Sequence, residues 1–146
     1  MNNEKKRILV VDDESSITRL LKLNLERTGD YEVATENVSQ AALAAAERFQ
    51  PDLILLDVIM PGMDGGHLAS MLQGSPRLKG VPIVFLTAAV THQELRERPT
   101  GVGGLPFLAK PVDLQEVLAC LRHHLDPGAR PQPYAVPSRD ALQAQG

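Results

Sequence analysis

The chain has 146 residues, of which 43% are hydrophobic, 23% charged and 3% aromatic, and its formal net charge at pH 7 is −3. This length suits one domain with its own core, and the slightly acidic balance offers no general basic surface for nucleic acid. A single cysteine excludes a disulfide framework within the chain, and no apolar run reaches the roughly 20 residues that span a bilayer. We therefore expect a cytoplasmic protein that binds neither membranes nor nucleic acid directly.

Five short apolar runs, separated by about 20 to 30 residues, predict the strands of one sheet. They lie at residues 8–11, 31–34, 53–56, 83–86 and 106–109. The first, third and fourth runs are uninterrupted and rich in Ile, Val and Leu. Such runs are typical of strands that are buried on both faces of a parallel sheet.

Helical patterns fill the intervals between these runs. The apolar residues of the first interval have the three-and-four spacing of one helix face: Ile17, Leu20, Leu21 and Leu25. The second interval is rich in alanine over 41–48, and Asn37 with Gln40 resembles a capping pair before it. The fourth interval permits only a short helix over 91–98 before Pro99. Alternating strands and helices predict right-handed βαβ units in a doubly wound α/β fold.

The last predicted helix precedes a segment of different composition. Asp113 and Glu116 resemble a capping pair, and the helix carries one apolar stripe: Leu114, Val117, Leu118, Leu121 and Leu125. Residues 126–146 contain four prolines and almost no large apolar side chains. Because this composition buries too little apolar surface to offset the entropy of ordering, we expect a flexible Pro-rich tail.

Polar residues follow four of the five predicted strands. Asp12 and Asp13 follow the first, Asp57 the third, Thr87 the fourth and Lys110 the fifth. Ligands of open α/β sheets bind beyond the carboxyl ends of the strands, so we expect these side chains to meet. Three carboxylates in one place repel each other, and a hard cation such as Mg²⁺ relieves that repulsion. With a lysine and a hydroxyl added, the set predicts a site for a phosphoryl group, in which a carboxylate can be the nucleophile.

Each of these residues alone has a structural interpretation. Asp12 and Asp13 could cap the first helix, and Asp57 could belong to a turn. Thr87 could bond to backbone at a strand end, and Lys110 could be a solvated surface lysine. The functional interpretation depends on their joint occurrence at one edge of the sheet.

Four stretches together resemble the response regulator receiver domain of bacterial two-component signalling. They are ILVVDDE at 8–14, DLILLDVIMPGMDG at 52–65, VPIVFLTA at 81–88 and FLAKP at 107–111. The resemblance covers roughly residues 6–125, and the motifs stand in the order of the family and close to its spacing. It implies a stand-alone receiver with a five-stranded parallel, flavodoxin-like sheet of strand order 2-1-3-4-5 and helices on both faces.

The resemblance also implies a role for each candidate residue. Asp57 accepts a phosphoryl group from a histidine kinase. Mg²⁺ is held by Asp12, Asp13, Asp57 and the backbone carbonyl of Ile59. Lys110 pairs with the acidic cluster and then with the phosphoryl oxygens, and a cis peptide bond is expected between Lys110 and Pro111.

Two further residues are implied to carry the signal outward. Thr87 turns inward to a phosphoryl oxygen, and Phe107 fills the position of the switch aromatic residue, which moves inward with it. The surface that changes is formed by the fourth helix, the fifth strand and the last helix. Its partners are a downstream effector or a histidine phosphotransfer protein, and the sequence does not separate these outputs.

The kinase is expected to dock on the first helix and the loop after the fifth strand, next to the phosphoacceptor. The exposed candidates are Ser15, Arg19, Lys22, Pro111 and Val112.

The sequence leaves three alternatives to a stand-alone switch. The chain could be the receiver part of a longer regulator, with residues 126–146 as its linker. A phosphatase of the haloacid dehalogenase class needs a second acid two residues after the nucleophile, where Ile59 stands. A flavodoxin-like electron carrier needs a phosphate-binding loop after Val11, and the sequence there lacks the Ser, Thr and Gly of such a loop. We therefore expect a signalling protein and not an enzyme.

The remaining cysteine and histidines are assigned no chemistry. Cys120 is expected to be a reduced, partly buried filler beside the apolar stripe of the last helix. His67, His92, His123 and His124 are expected at the surface, because none has partners at metal-ligand spacing.

Overall fold

The computed structural model describes residues 4–87 and 105–125. They form a five-stranded parallel sheet of order β2-β1-β3-β4-β5. The strands are β1 (Lys6–Val11), β2 (Tyr31–Glu36), β3 (Leu53–Asp57), β4 (Ile83–Thr87) and β5 (Phe107–Ala109). The helices are α1 (Ser15–Arg27), α2 (Ala42–Phe49), α3 (Gly65–Gln73) and the C-terminal helix (Leu114–Leu125), with short 3₁₀ turns at Ser39–Ala41 and Pro76–Leu78. The predicted helix over 91–98 and the predicted tail over 126–146 lie outside the described residues.

The sheet is buried on both faces, as the uninterrupted apolar runs predict. Because side chains alternate along a strand, Ile8 and Val10 pack on one side of β1, and Leu9 and Val11 on the other. One side is covered by α1 and the C-terminal helix, and the opposite side by α2 and α3. The doubly wound α/β prediction and its strand order are therefore confirmed. Within the described ranges, no helix is both long and apolar enough to cross a bilayer.

The predicted apolar stripe of α1 is wrong at one position. Leu21 and Leu25 are buried, but Leu20 is 55% exposed. Thr18 takes the remaining buried place, and its hydroxyl donates to the carbonyl of Ser15. Successive helix residues are about 100° apart, so a stripe centred on Thr18, Leu21 and Leu25 turns Leu20 to solvent.

The two predicted capping pairs have opposite outcomes. Asp113 accepts hydrogen bonds from the backbone N–H groups of Gln115 and Glu116, as a helix cap does. The Asn37–Gln40 cap is wrong, because a 3₁₀ turn intervenes and α2 begins at Ala42 without a side-chain cap. The Asn37 amide instead donates to the carbonyl of Asp12. Competition from this tertiary hydrogen bond overrides the local capping preference.

Side chains of α1 cover the outer edge of β2. The Lys22 ammonium donates to the carbonyl of Val33 at 2.7 Å, and the Glu26 carboxylate accepts from the N–H of Val33 at 3.0 Å. Lys22 and Glu26 also form an ion pair of 2.9 Å. These contacts satisfy backbone groups that an edge strand would otherwise expose. They also give a structural role to Lys22, which we expect to be an exposed residue for kinase docking and whose side chain is 45% exposed.

The C-terminal helix buries more than its pattern predicts. Cys120 is fully buried beside Val117 and Leu121, where we expected partial burial, and burial raises the pKa of its thiol to about 12. His123 and His124 reach the surface only in part, and their rings meet edge to face with centroids 5.0 Å apart. His67 is exposed as expected. His92 lies outside the described residues.

Gly65 allows α3 to begin against the end of β3. Its N–H donates to the carbonyl of Val58 at 2.7 Å. A Cβ at this position would lie 2.6 Å from the carbonyl oxygen of Asp57 and 2.7 Å from the Cα of Val58. Both atoms belong to the backbone, so a side chain here would displace the segment that follows Asp57.

Gly65→Ala should therefore lower the free energy of unfolding by about 1–3 kcal/mol, the usual penalty for overpacking. Gly74→Ala is the matched control, since its Cβ would approach the carbonyl of Ser70 no closer than 3.4 Å. The control should remain within about 0.5 kcal/mol of wild type. Urea denaturation of the two variants measures the difference, and equal stabilities would contradict the close approach.

Candidate functional site

All five polar residues predicted from the sequence lie at the carboxyl edge of the sheet. Asp12 and Asp13 follow β1, Asp57 is the last residue of β3 and Thr87 the last of β4, and Lys110 follows β5. The parallel register aligns these ends, because Asp57 pairs with Leu86, and Thr87 with Ala109. The inner strands are apolar on both faces, so polar groups meet only where the strands stop.

Three carboxylates form a close cluster around one lysine. Oxygens of Asp12, Asp13 and Asp57 lie within 4.8 Å of one another. Asp12 is 0% and Asp57 4% exposed, whereas Asp13 is exposed to solvent. The Lys110 ammonium lies 2.7 Å from Asp12 Oδ2 and 3.6 Å from Asp57 Oδ1, and its side chain is 9% exposed. The cluster is thus anionic overall and only partly compensated by this lysine.

Backbone N–H groups hold the carboxylates of Asp12 and Asp57 in place, and the side-chain amide of Asn37 holds the backbone of Asp12. Asp12 Oδ1 accepts from the N–H of Glu14 at 2.9 Å, and Asp57 Oδ1 accepts from the N–H of Ile59 at 3.4 Å. Asn37 Nδ2 donates to the carbonyl of Asp12 at 2.7 Å and to Thr18 Oγ1 at 3.1 Å. Sequence reasoning missed this role of Asn37. A polar side chain after the second strand, at the same edge as the other site residues, was the available signal.

Burial and like charge raise the pKa of the Asp57 carboxyl. Burial, and then the charge of Asp12, raise the pKa of Asp57 to about 6, although Lys110 opposes them. Burial by itself lowers the pKa of Lys110, but the carboxylates of Asp12 and Asp57 outweigh it and leave that pKa raised. The lysine therefore stays protonated at neutral pH, and the negative charge on Asp57 is held at a cost in free energy.

The donor set fits a hard divalent cation. Carboxylate oxygens are the ligands that Mg²⁺ prefers, and these three converge on one another from two strand ends. A cation among them would relieve the repulsion that raises the pKa of Asp57. Among the described residues, the carboxylates of Asp12, Asp13 and Asp57 form the group of acidic, histidine or cysteine side chains that lies close enough together to hold a metal ion.

Thr87 and Phe107 are both buried, with exposures of 4% and 3%. The carbonyl of Thr87 accepts from the N–H of Lys110 at 2.9 Å, which ties the ends of β4 and β5 together. Phe107 is paired in register with Phe85 and packs in the core on the α2 and α3 side. The side chain expected to move inward is therefore already inside in this conformation. The Lys110–Pro111 peptide bond is cis, as expected.

The raised pKa of Asp57 predicts a pH-dependent gain in stability from Asp57→Asn. A carboxylate whose pKa is higher in the folded state destabilises the fold as the pH rises from about 4 through 6. In metal-free buffer above pH 6, the variant should be more stable by about 1–3 kcal/mol, and this gain should shrink as the pH falls toward 4. Denaturation curves across this range test it, with the exposed Asp30→Asn as a control that should show no such gain. A gain that does not vary with pH would contradict the electrostatic cause.

Comparison with known proteins agrees with this geometry. Residues 8–122 match the response regulator receiver domain family. The response regulator PleD of Caulobacter vibrioides is 44% identical over 108 residues, which are 73% of this chain and 23% of PleD. The alkaline phosphatase synthesis transcriptional regulatory protein PhoP of Bacillus subtilis is 37% identical over 142 residues, 96% of this chain and 57% of PhoP. The chain thus spans between about a quarter and three fifths of the length of these two relatives.

Solved structures are similar to this chain over most of its length. The chemotaxis protein CheY4 of Vibrio cholerae has a TM-score of 0.72 and 31% identity, covering 84% of this chain and 100% of CheY4. The BeF₃-activated receiver domain of Klebsiella pneumoniae RstA has a TM-score of 0.70 and 30% identity, covering 83% of this chain and 99% of that domain.

Receiver domains are phosphorylation-dependent signalling switches and not true enzymes. They bind Mg²⁺ at an acidic pocket and interact with histidine kinases and effectors, and this chain has the acidic cluster. A family match over residues 8–122, a shared strand order and carboxylates at the same sheet edge lead to one assignment. The chain belongs to the response regulator receiver domain family of two-component signalling.

Proposed function

We propose that Asp57 accepts the phosphoryl group of a histidine kinase. An Asp57 carboxylate oxygen forms a bond to phosphorus, the N–P bond of the phosphohistidine breaks, and its electron pair stays on the imidazole nitrogen. The observation that carries this proposal is the position of Asp57. It is a buried carboxylate at a strand end, with two carboxylates close by and a lysine 3.6 Å away.

The residues around Asp57 would share the binding of metal and phosphoryl group. Asp12, Asp13, Asp57 and the backbone carbonyl of Ile59 are the proposed protein ligands of Mg²⁺. When bound, Mg²⁺ would supply positive charge that offsets the charge of the carboxylates and of the incoming phosphoryl oxygens. Lys110 would donate to a phosphoryl oxygen, since its ammonium already lies between Asp12 and Asp57. Burial of Asp12 and Asp57 strengthens the charge interactions of these two carboxylates relative to water.

Thr87 is the proposed start of the output. Phosphorylation adds nearly two negative charges at neutral pH, and the Thr87 hydroxyl is a donor at the same sheet edge. Because Phe107 is already buried, we propose that the change reaches the surface through the backbone link between Thr87 and Lys110. The proposed signalling surface comprises residues 91–98, β5 and the C-terminal helix. Of these, residues 91–98 lie outside the described part of the chain.

The proposed partners are a histidine kinase and either an effector protein or a histidine phosphotransfer protein. Some relatives carry further functions in their names, such as the DNA-binding dual master transcriptional regulator RpaA of Synechocystis, which is 36% identical over 117 residues, 47% of its length. For the receiver domain over 6–125 we propose protein partners only. Phosphoryl transfer from a kinase and the single free cysteine favour a cytoplasmic location.

Acetyl phosphate with Mg²⁺ should add one phosphoryl group to the wild-type protein, seen as a mass increase or as retardation in a phosphate-affinity gel. Asp57→Asn should abolish the addition, because the amide lacks the nucleophilic carboxylate oxygen. Removal of Mg²⁺ with a chelator should reduce it strongly. Asp30→Asn, an exposed carboxylate far from the site, should label like wild type. Unchanged labelling of Asp57→Asn would refute the assignment of the acceptor.

Kinase docking on α1 can be separated from the chemistry of the site. Arg19 is exposed on α1, so Arg19→Glu should slow phosphotransfer from the kinase and leave labelling by acetyl phosphate unchanged. Lys22 is unsuitable for this test because it supports the edge of β2.

Arg48→Glu is the matched control, with the same charge change on an exposed residue of α2, on the other side of the sheet. It should slow neither reaction. If Arg19→Glu slows both donors equally, the change has damaged the site and the docking proposal fails.

A further inference from the structure

Lys110 divides its charge unequally among three carboxylates. Its ammonium lies 2.7 Å from Asp12 Oδ2, 3.3 Å from Glu14 Oε1 and 3.6 Å from Asp57 Oδ1. The contacts to Asp12 and Glu14 are within or near hydrogen-bond range, whereas the distance to Asp57 is beyond it. In the unphosphorylated protein, the lysine is therefore ion-paired with Asp12 and Glu14, which follow β1, and lies farther from Asp57.

Glu14 is firmly placed for this contact although its side chain is 57% exposed. Its N–H donates to Asp12 Oδ1 at 2.9 Å, and its carbonyl accepts from Ile17 and Thr18 in the first turn of α1. The backbone of Glu14 is thus fixed at both ends. Its carboxylate reaches across the sheet edge to a lysine 96 positions away in the chain.

We propose that Glu14 is a positioning residue that competes with the Asp57 site for the Lys110 ammonium and so slows phosphorylation. The inference deepens the proposed function and rests on it. During phosphorylation, Lys110 must turn toward the incoming phosphoryl oxygens. Glu14 holds the ammonium on the solvent side of Asp12, and this contact has to weaken before the lysine serves the phosphoryl group. Loss of the Glu14 contact would free the Lys110 ammonium for the phosphoryl oxygens and so raise the rate of phosphorylation.

The test compares the rate of labelling by acetyl phosphate in wild type, Glu14→Gln, Glu14→Asp and the control Asp30→Asn. In this reaction an Asp57 oxygen bonds to phosphorus, the P–O bond to the acetyl group breaks, and acetate leaves with the electron pair. Each variant is assayed at a Mg²⁺ concentration that saturates that variant, determined by titration with the metal alone. A change in metal affinity therefore does not enter the comparison.

Glu14→Gln should raise the rate about two- to fivefold, the range of an exposed ion pair. Glu14→Asp retains the negative charge but is one methylene shorter and loses the contact with Lys110. If competition for the lysine is the cause, the aspartate variant should be accelerated like the glutamine variant. If it behaves like wild type, simple repulsion of the phosphoryl donor is the cause and the inference is wrong. Acceleration of Asp30→Asn by the same factor would also overturn it, since net charge alone would then explain the effect.

A second readout does not depend on phosphorylation. In protein labelled with ¹⁵N-lysine and free of metal and phosphoryl donor, the Lys110 ammonium resonance should shift in Glu14→Gln and Glu14→Asp and stay in place in Asp30→Asn. An unchanged resonance in both Glu14 variants would show that Glu14 does not hold the ammonium. If wild type takes up no phosphoryl group, the proposed function fails, while this spectrum still tests the contact itself.

Discussion

The ion pair between Lys110 and the buried carboxylates Asp12 and Asp57 is the interaction on which the site depends. Two carboxylates that are 0% and 4% exposed repel each other with little screening by water. The Lys110 ammonium, 2.7 Å from Asp12 and 3.6 Å from Asp57, offsets part of this repulsion. The pKa of Asp57 is nevertheless raised to about 6. The site is thus held with residual electrostatic strain, which a cation or a change of protonation relieves.

The sheet makes this arrangement feasible because it separates apolar and polar groups along each strand. Strands β1, β3 and β4 are apolar on both faces and supply most of the core. Charged groups are therefore confined to the strand ends, where parallel alignment collects them at one edge. The contact of Gly65 with the backbone at Asp57 and Val58 brings α3 close against the same edge.

Sequence reasoning predicted the elements well where a pattern was strong and local. Four motifs located the five site residues and the four strands that they follow, and Asp113 capped the last helix as its side chain favours. It failed where a tertiary contact competed with a local preference. Asn37 bonds to the carbonyl of Asp12 instead of capping α2, and the Lys22 ammonium donates to the carbonyl of Val33 at the β2 edge.

By itself, the sequence determined the α/β alternation, the polar residues at the strand ends and the family to which they point. These features depend on periodicity and on residue type, which act over a few neighbouring positions. Only the tertiary structure decided the distances at the site, the raised pKa of Asp57 and the sharing of Lys110 between Asp12, Glu14 and Asp57. The reason is physical: burial and Coulomb energies depend on separations in space, and β5 brings a lysine to carboxylates that are far from it along the chain.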